Sequence, residues 1–171
     1  MDVDLQQALS YAEDENRQQA DFLSFRLGAE LYGIAIHSVE EIRVWEQPTP
    51  LPRSPVFVKG VINLRGMIVP VIDLRLRFGI GKASYHPTTV VLVMRRALKD
   101  KEQLMGIVVD SVADVVTQGS NELHPAMGES AIAAFVVGML NLDQQVMALL
   151  DTDELMNLDK LLEVEAANGR Y

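Results

Sequence analysis

The chain has 171 residues, 49% of them hydrophobic, a net charge of −9 and no cysteine. Disulfides and thiolate metal sites are therefore excluded, the apolar share is ample for a core, and the basic footprint of a generic nucleic-acid binder is missing. No secretory signal is visible, and the longest apolar run, Ala131 to Leu140, falls short of the ~18 residues of a membrane helix, so the expectation is a cytoplasmic protein without membrane insertion.

Residues 1–20 are polar and acidic and read as a flexible leader. Phe22 to Leu27 alternates, with Leu23, Phe25 and Leu27 on one face, which predicts a half-buried strand. Gly28-Ala29 turns the chain into a returning strand, Leu31 to Ile36. Residues 39–47 look extended and end in the bend QPTPLPRSP, where prolines forbid a central strand. Ser54 and Pro55 open a short helical turn. The clearest hairpin follows: Val61 to Leu64, a turn at Arg65-Gly66, and Met67 to Leu74, apolar on both faces and so expected between layers, where the two copies described next meet. Thr88 to Met94 is a strand, and RRALKDKEQ (residues 95–103) reads as a charged loop. Leu104 to Val109 and Val112 to Thr117 are strands, residues 118–130 are irregular, and Phe135 to Leu142 with Val146 to Leu150 forms a second hairpin. Leucines at helical spacing predict a terminal helix over residues 151–164.

The two hairpins repeat one another. GVINLRGMIVPVIDL (Gly60 to Leu74) aligns without a gap on GMLNLDQQVMALLDT (Gly138 to Thr152), and YGIAIHSVEEI (Tyr32 to Ile42) aligns on MGIVVDSVADV (Met105 to Val115). The offsets, 138 − 60 = 78 and 106 − 33 = 73, nearly agree. The chain is read as two copies of one β unit, about five strands each, enough to close a small barrel. Short strands with helix only at the joints and the end make the fold class all-β.

No nucleophile elbow, phosphate loop or HExxH motif occurs, which disfavours an enzyme. Asp73 and its counterpart Asp151 sit where a strand becomes a helical turn and are assigned as caps; His37, matched by Asp110, is a polar turn residue. Gly33/Gly106 and Gly60/Gly138 recur in both copies and are assigned to the fold. Arg65 stands apart: its counterpart is Asp143, so the turn does not demand an arginine, and a functional contact is open. Trp45, the only tryptophan, precedes the proline bend and suits either packing or an interface.

The segments FLSFRLGAELYGIAIHSVEEIR, SPVFVKGVINLRGMIVPVIDLRLRFG and GIVVDSVADVV resemble the CheW family of bacterial chemotaxis coupling proteins, over about Phe22 to Leu162. The resemblance implies two five-stranded SH3-like barrels packed side by side, no enzymatic activity and no cofactor. The domain would span residues 21–165, its lobes roughly 21–78, with C-terminal packing, and 86–152. It implies two partners: the cytoplasmic tip of chemoreceptors and the regulatory domain of the histidine kinase CheA, with recruitment to membrane-associated receptor arrays. By motif the receptor contact falls on Val39, Glu41, Gly60, Arg65, Val90, Gly106, Val112 and Val115, and the kinase contact near Arg43, Trp45 and Leu51. An adaptor of a type IV pilus or other chemosensory system shares every one of these features. With both residues at the receptor contact, we also expect Glu41 and Arg65 to meet as a partly exposed ion pair.

Overall fold

Leu23, Phe25 and Leu27 on β1 (Asp21–Leu27) are fully buried, as their alternation requires. The computed structural model describes residues 20–80, 83–126 and 131–159; the expected leader, up to residue 19, and the far end of the expected terminal helix lie outside them. After β1 come β2 (Glu30–Ala35), β3 (Val39–Val44), the β4–β5 hairpin (Val58–Leu64, Met67–Asp73) and the short helix α1 (Leu74–Phe78). The second half supplies β6 (Val90–Ala97), β7 (Glu102–Val109), β8 (Ser111–Thr117), the two-residue β9 (Leu123–His124), the β10–β11 hairpin (Val136–Leu142, Gln145–Leu150) and the helical turn α2 (Thr152–Leu155).

The strands form two sheets, β3-β6-β7-β5-β4 and β8-β1-β2-β11-β10-β9. Each sheet mixes the two copies. The β3–β6 pair of one sheet answers the β8–β1 pair of the other, and the parallel pair β5–β7 answers β11–β2. Registers agree as well: Val71 faces Gly106 as Leu149 faces Gly33. Both hairpins carry a bulge at their repeated glycine, between Val58 and Gly60 and between Val136 and Gly138. The expected split at residues 78–86 is therefore not a split between sheets. Pairing follows strand complementarity across the copies, so β1 and β2 belong with the second hairpin, and β6 and β7 with the first.

Three apolar clusters result. The largest lies between the sheets and takes alternate residues from both, such as Phe25, Tyr32, Leu92 and Ile107. The opposite faces of the same strands line a second cluster in the five-stranded sheet (Leu64, Val69, Val71, Val91, Val93, Leu104 and Val108) and a third in the six-stranded sheet (Leu31, Leu140, Met147 and Leu149). Gly33 and Gly106 each face such an inner cluster. A Cβ on Gly33 would come within 2.8 Å of Met147 Sδ, and one on Gly106 within 2.8 Å of Val91 Cγ1. Their recurrence is a matter of space.

Three local expectations are corrected. Residues 95–103 are mostly strand: β6 runs to Ala97 and β7 starts at Glu102, leaving a tight turn closed by Leu98 N donating to Lys101 O (2.7 Å). The charges lie on the exposed ends of the strands, where Arg96 donates to Gln103. The return strand β5 is buried on both faces only from Val69 onward, because Ile68 is 67% exposed at the hairpin tip. The terminal helix is broken after one turn at Met156, whose carbonyl accepts from the Gln103 side chain (2.8 Å), and helix resumes at Leu158–Asp159, the last described residues. Asp73 and Asp151 do cap α1 and α2, accepting from Arg75 N and Glu154 N.

Candidate functional site

The β4–β5 turn has Arg65 at φ 50 and Gly66 at φ 85. Two successive positive φ values make the two-residue turn whose twist suits a hairpin. Asn63 Oδ1 accepts the Gly66 N–H (2.9 Å) and fixes the corner. The counterpart of Arg65, Asp143, has φ 53, so the first turn position shares its backbone and differs in side chain, while Gln144, in the place of Gly66, does not take a positive φ.

This tip belongs to one edge of the five-stranded sheet, and β3 is the opposite edge. Arg65 nevertheless reaches β3: its Nη2 lies 2.9 Å from Glu40 Oε2 and its Nη1 3.5 Å from Glu41 Oε2. The sheet is curled until its edges face each other, and a bridge between Thr49 and Val61 lies in the same seam. Two consecutive glutamates point toward one arginine because β3 bulges against β6 between Val39 and Glu41. An extra residue in a strand re-aims its side chains. Arg43 holds the other oxygen of Glu41 (3.0 Å), and Arg95 the other oxygen of Glu40 (3.1 Å). The expected Glu41–Arg65 approach is present, but Glu40 is the closer partner. Neither Glu40 nor Arg95 was singled out from sequence, since a bulge cannot be read from an apolar period. With the carboxylates occupied and the Arg65 side chain 60% exposed, the guanidinium keeps donors for an external oxygen.

The other residues expected at the receptor contact divide by burial. Val39 and Val90 lie in the inter-sheet cluster, and Val112 and Val115 pack against it partly exposed. Gly106 lines the inner cluster of the five-stranded sheet, and Gly60, at φ +141, lies under the Thr49 carbonyl, which a Cβ would overlap. Val39, Val90, Gly60 and Gly106 are thus closed to direct contact by the fold.

Beside the same sheet Trp45 packs on its inner cluster and stacks on Tyr85, with ring centroids 4.3 Å apart. With Pro48, Pro50, Pro55, Val56 and Lys59 they line a cleft of about 420 Å³. Leu51, 42% exposed, flanks it through Ser54, whose hydroxyl donates to the Leu51 carbonyl. Arg43 is bound instead into the Glu41 network, so the three residues expected at the kinase contact span two neighbouring features.

A buried charge chain, which no sequence motif announces, lies beneath Trp45. Arg75, 2% exposed, grips Asp73 with Nε and Nη2 (3.0 and 2.8 Å). Its Nη1 donates to Asp110 Oδ1 (2.7 Å) and to Ser84 O (2.6 Å). Tyr85 Oη donates to Asp73 Oδ2 (2.9 Å), and Asp110 Oδ2 accepts from Gly28 N (2.6 Å). Burial, and then the bond to Asp73, push the Tyr85 phenol up to about 12. Burial pulls the Arg75 guanidinium down, but bonds to Asp73 and Asp110 outweigh it and hold the group charged. The signal was available: the counterpart of Arg75 is Asp153, the same kind of asymmetry that marks Arg65. Among the described residues no group of three or more His, Asp or Glu side chains is placed to hold a metal.

Comparison with known proteins fits this geometry. The model of the CheW-like domain matches residues 21–160. The Chemotaxis protein CheW of Klebsiella aerogenes is 38% identical over 85% of this chain and 86% of its own length. The Protein FrzA of Myxococcus xanthus is 30% identical over 86% and 88%. The crystal structure of the scaffolding protein TtCheW from Thermoanaerobacter tengcongensis superposes with a TM-score of 0.73 at 32% identity, covering 85% of this chain and 93% of that one. On its sequence, its interleaved sheets and these relatives, the chain belongs to the CheW family.

Proposed function

We propose that this protein is a non-catalytic adaptor that couples chemoreceptors to the histidine kinase CheA, working in the cytoplasm at membrane-associated receptor arrays. The observation that supports this most is the presence of two unlike faces around one sheet: the exposed Arg65 tip with its glutamates, and the Trp45–Tyr85 cleft beside it. A linker needs separate faces so that one partner does not displace the other. The Arg65 side, with the half-buried Val112 and Val115, suits the tip of a helical receptor hairpin that offers an apolar stripe and an acceptor. The cleft suits the kinase regulatory domain, with stacked aromatics as anchors. No helix among the described residues is long and apolar enough to cross a membrane. Small contacts of this kind bind at about micromolar strength alone and hold through multivalency.

The test is a titration of the purified protein with a soluble receptor cytoplasmic fragment and the CheA regulatory domain. Both bind the wild type together. Arg65→Ala weakens the receptor fragment and leaves the melting temperature within a few degrees, since an exposed pair contributes about 0–1 kcal/mol. Trp45→Ala weakens the kinase domain. Complete mutual displacement by the two partners overturns the reading.

A further inference from the structure

The buried charge chain runs from one proposed face to the root of the strand that carries part of the other. Trp45 stacks on Tyr85. Tyr85 is fixed from below by its hydroxyl on Asp73 and by the Arg75 guanidinium 5.0 Å over its ring. Arg75 passes the connection to Asp110, the single residue between β7 and β8. Asp110 uses its second oxygen to hold the β1–β2 turn at Gly28. Val112 and Val115 follow on β8 and pack against the inter-sheet cluster. Asp73 ends β5 of the five-stranded sheet, and Asp110 leads into β8 and holds the β1–β2 turn of the six-stranded one, so the chain spans both sheets.

We propose that this chain links the two faces energetically, so that what happens at Asp110 and the base of β8 is felt at Trp45, and the reverse. The proposal rests on the two-face reading for its biological meaning, but its mechanical part does not depend on it. Tyr85 is the element that can move. It is 37% exposed, and its neighbour Ser84 shares with it the hold on Arg75. A partner that grips the Trp45–Tyr85 pair either strengthens this seat or pulls Tyr85 from it. In the second case Asp73 loses a donor and Arg75 loses the Ser84 carbonyl, so the guanidinium resettles between Asp73 and Asp110. Because Asp110 also holds the Gly28 turn, that shift reaches the edge of the six-stranded sheet. Coupling of this kind is reciprocal by thermodynamic necessity.

Two measurements test it. The first uses no partner. Trp45 is the only tryptophan, so its emission and quenching report the cleft alone. Asp110→Asn, which keeps the shape and removes the charge, is expected to change both, while Tyr85→Phe is expected to make the signal insensitive to the Asp110 substitution. The second measures receptor-fragment affinity with and without saturating kinase domain. The wild type is expected to show a finite change of about five-fold or more, distinct from the unlimited displacement of competition. Asp110→Asn, which lies in neither face, is expected to bring that ratio toward one while each partner still binds alone. Trp45 emission identical in wild type and a folded Asp110→Asn overturns the proposal. So does a wild-type ratio of one, or a ratio that Asp110→Asn preserves. If neither partner binds the wild type, the two-face reading fails, and the fluorescence arm still decides the mechanical link.

Discussion

Single side chains differ in how much of their role the sequence reveals. Arg65 was legible because a repeat supplies its own control: the same left-handed turn position takes Asp143 in the other copy. Arg75 was open to the same argument, but Tyr85 was not, since nothing in its neighbourhood repeats and its partner Asp73 already had a role as a helix cap. The Tyr85 phenol has a measurable consequence. Its pKa is raised from 10.0 to about 12, so the folded state holds the proton more tightly than the unfolded chain. The stability this contributes is complete below pH 10 and is lost as pH rises through about 12. Tyr32, raised to about 12 by burial and then by Glu30, adds to the same loss. The denaturation midpoint is therefore expected to fall across that window. Titration followed by phenolate absorbance is expected to show one fewer late phenol in Tyr85→Phe; an unchanged late amplitude counts against the Asp73 contact.

At the level of elements, strand positions followed from alternation and turn residues, whereas strand ends and partners did not. Period two marks a face without naming the neighbour, and a charged strand end such as Arg95-Arg96 looks like a loop when no partner strand is known. The bulge at Glu40 was equally silent, being defined by register against another strand, whereas the one at Gly60 was marked by its glycine, which in a strand signals a bulge or a close backbone approach. Gly60 illustrates the difference. It has φ +141, and a Cβ there would overlap the Thr49 carbonyl; Gly66 has φ +85 and open space around it. Gly60→Ala is expected to destabilise by about 2–4 kcal/mol, through strain and backbone displacement together. Gly66→Ala is expected to lose only about 1 kcal/mol, from its left-handed backbone. Urea denaturation of the two variants compares them directly, and equal costs would mean that the Thr49 seam gives way freely.

For the whole molecule the duplication was visible in sequence and the interleaving was not, because self-similarity says that two units exist and not which strands each one keeps. Four pairings cross between the halves, β8–β1, β11–β2, β3–β6 and β5–β7. Within either half most of what remains is isolated hairpins, which are marginal in water. Arg77 adds a cross-tie, its guanidinium lying 5.5 Å from the Phe57 ring and 5.1 Å from that of its counterpart Phe135. Separate fragments 1–80 and 81–171 are therefore expected to lack cooperative thermal transitions and to regain one on mixing. A fragment 1–80 with its own sharp transition would show that the first copy suffices.

Interleaving also bears on how unlike the two sheets can become. Two separate protomers that exchanged strands in this way would be bound by symmetry to repeat every side chain, so an arginine at one hairpin tip would mean an arginine at the other. A single continuous chain is free of that constraint, and here one tip carries Arg65 and the other Asp143. The backbone keeps its twofold relation while the surface loses it. Such a body has a direction, and copies of it laid side by side can be told head from tail.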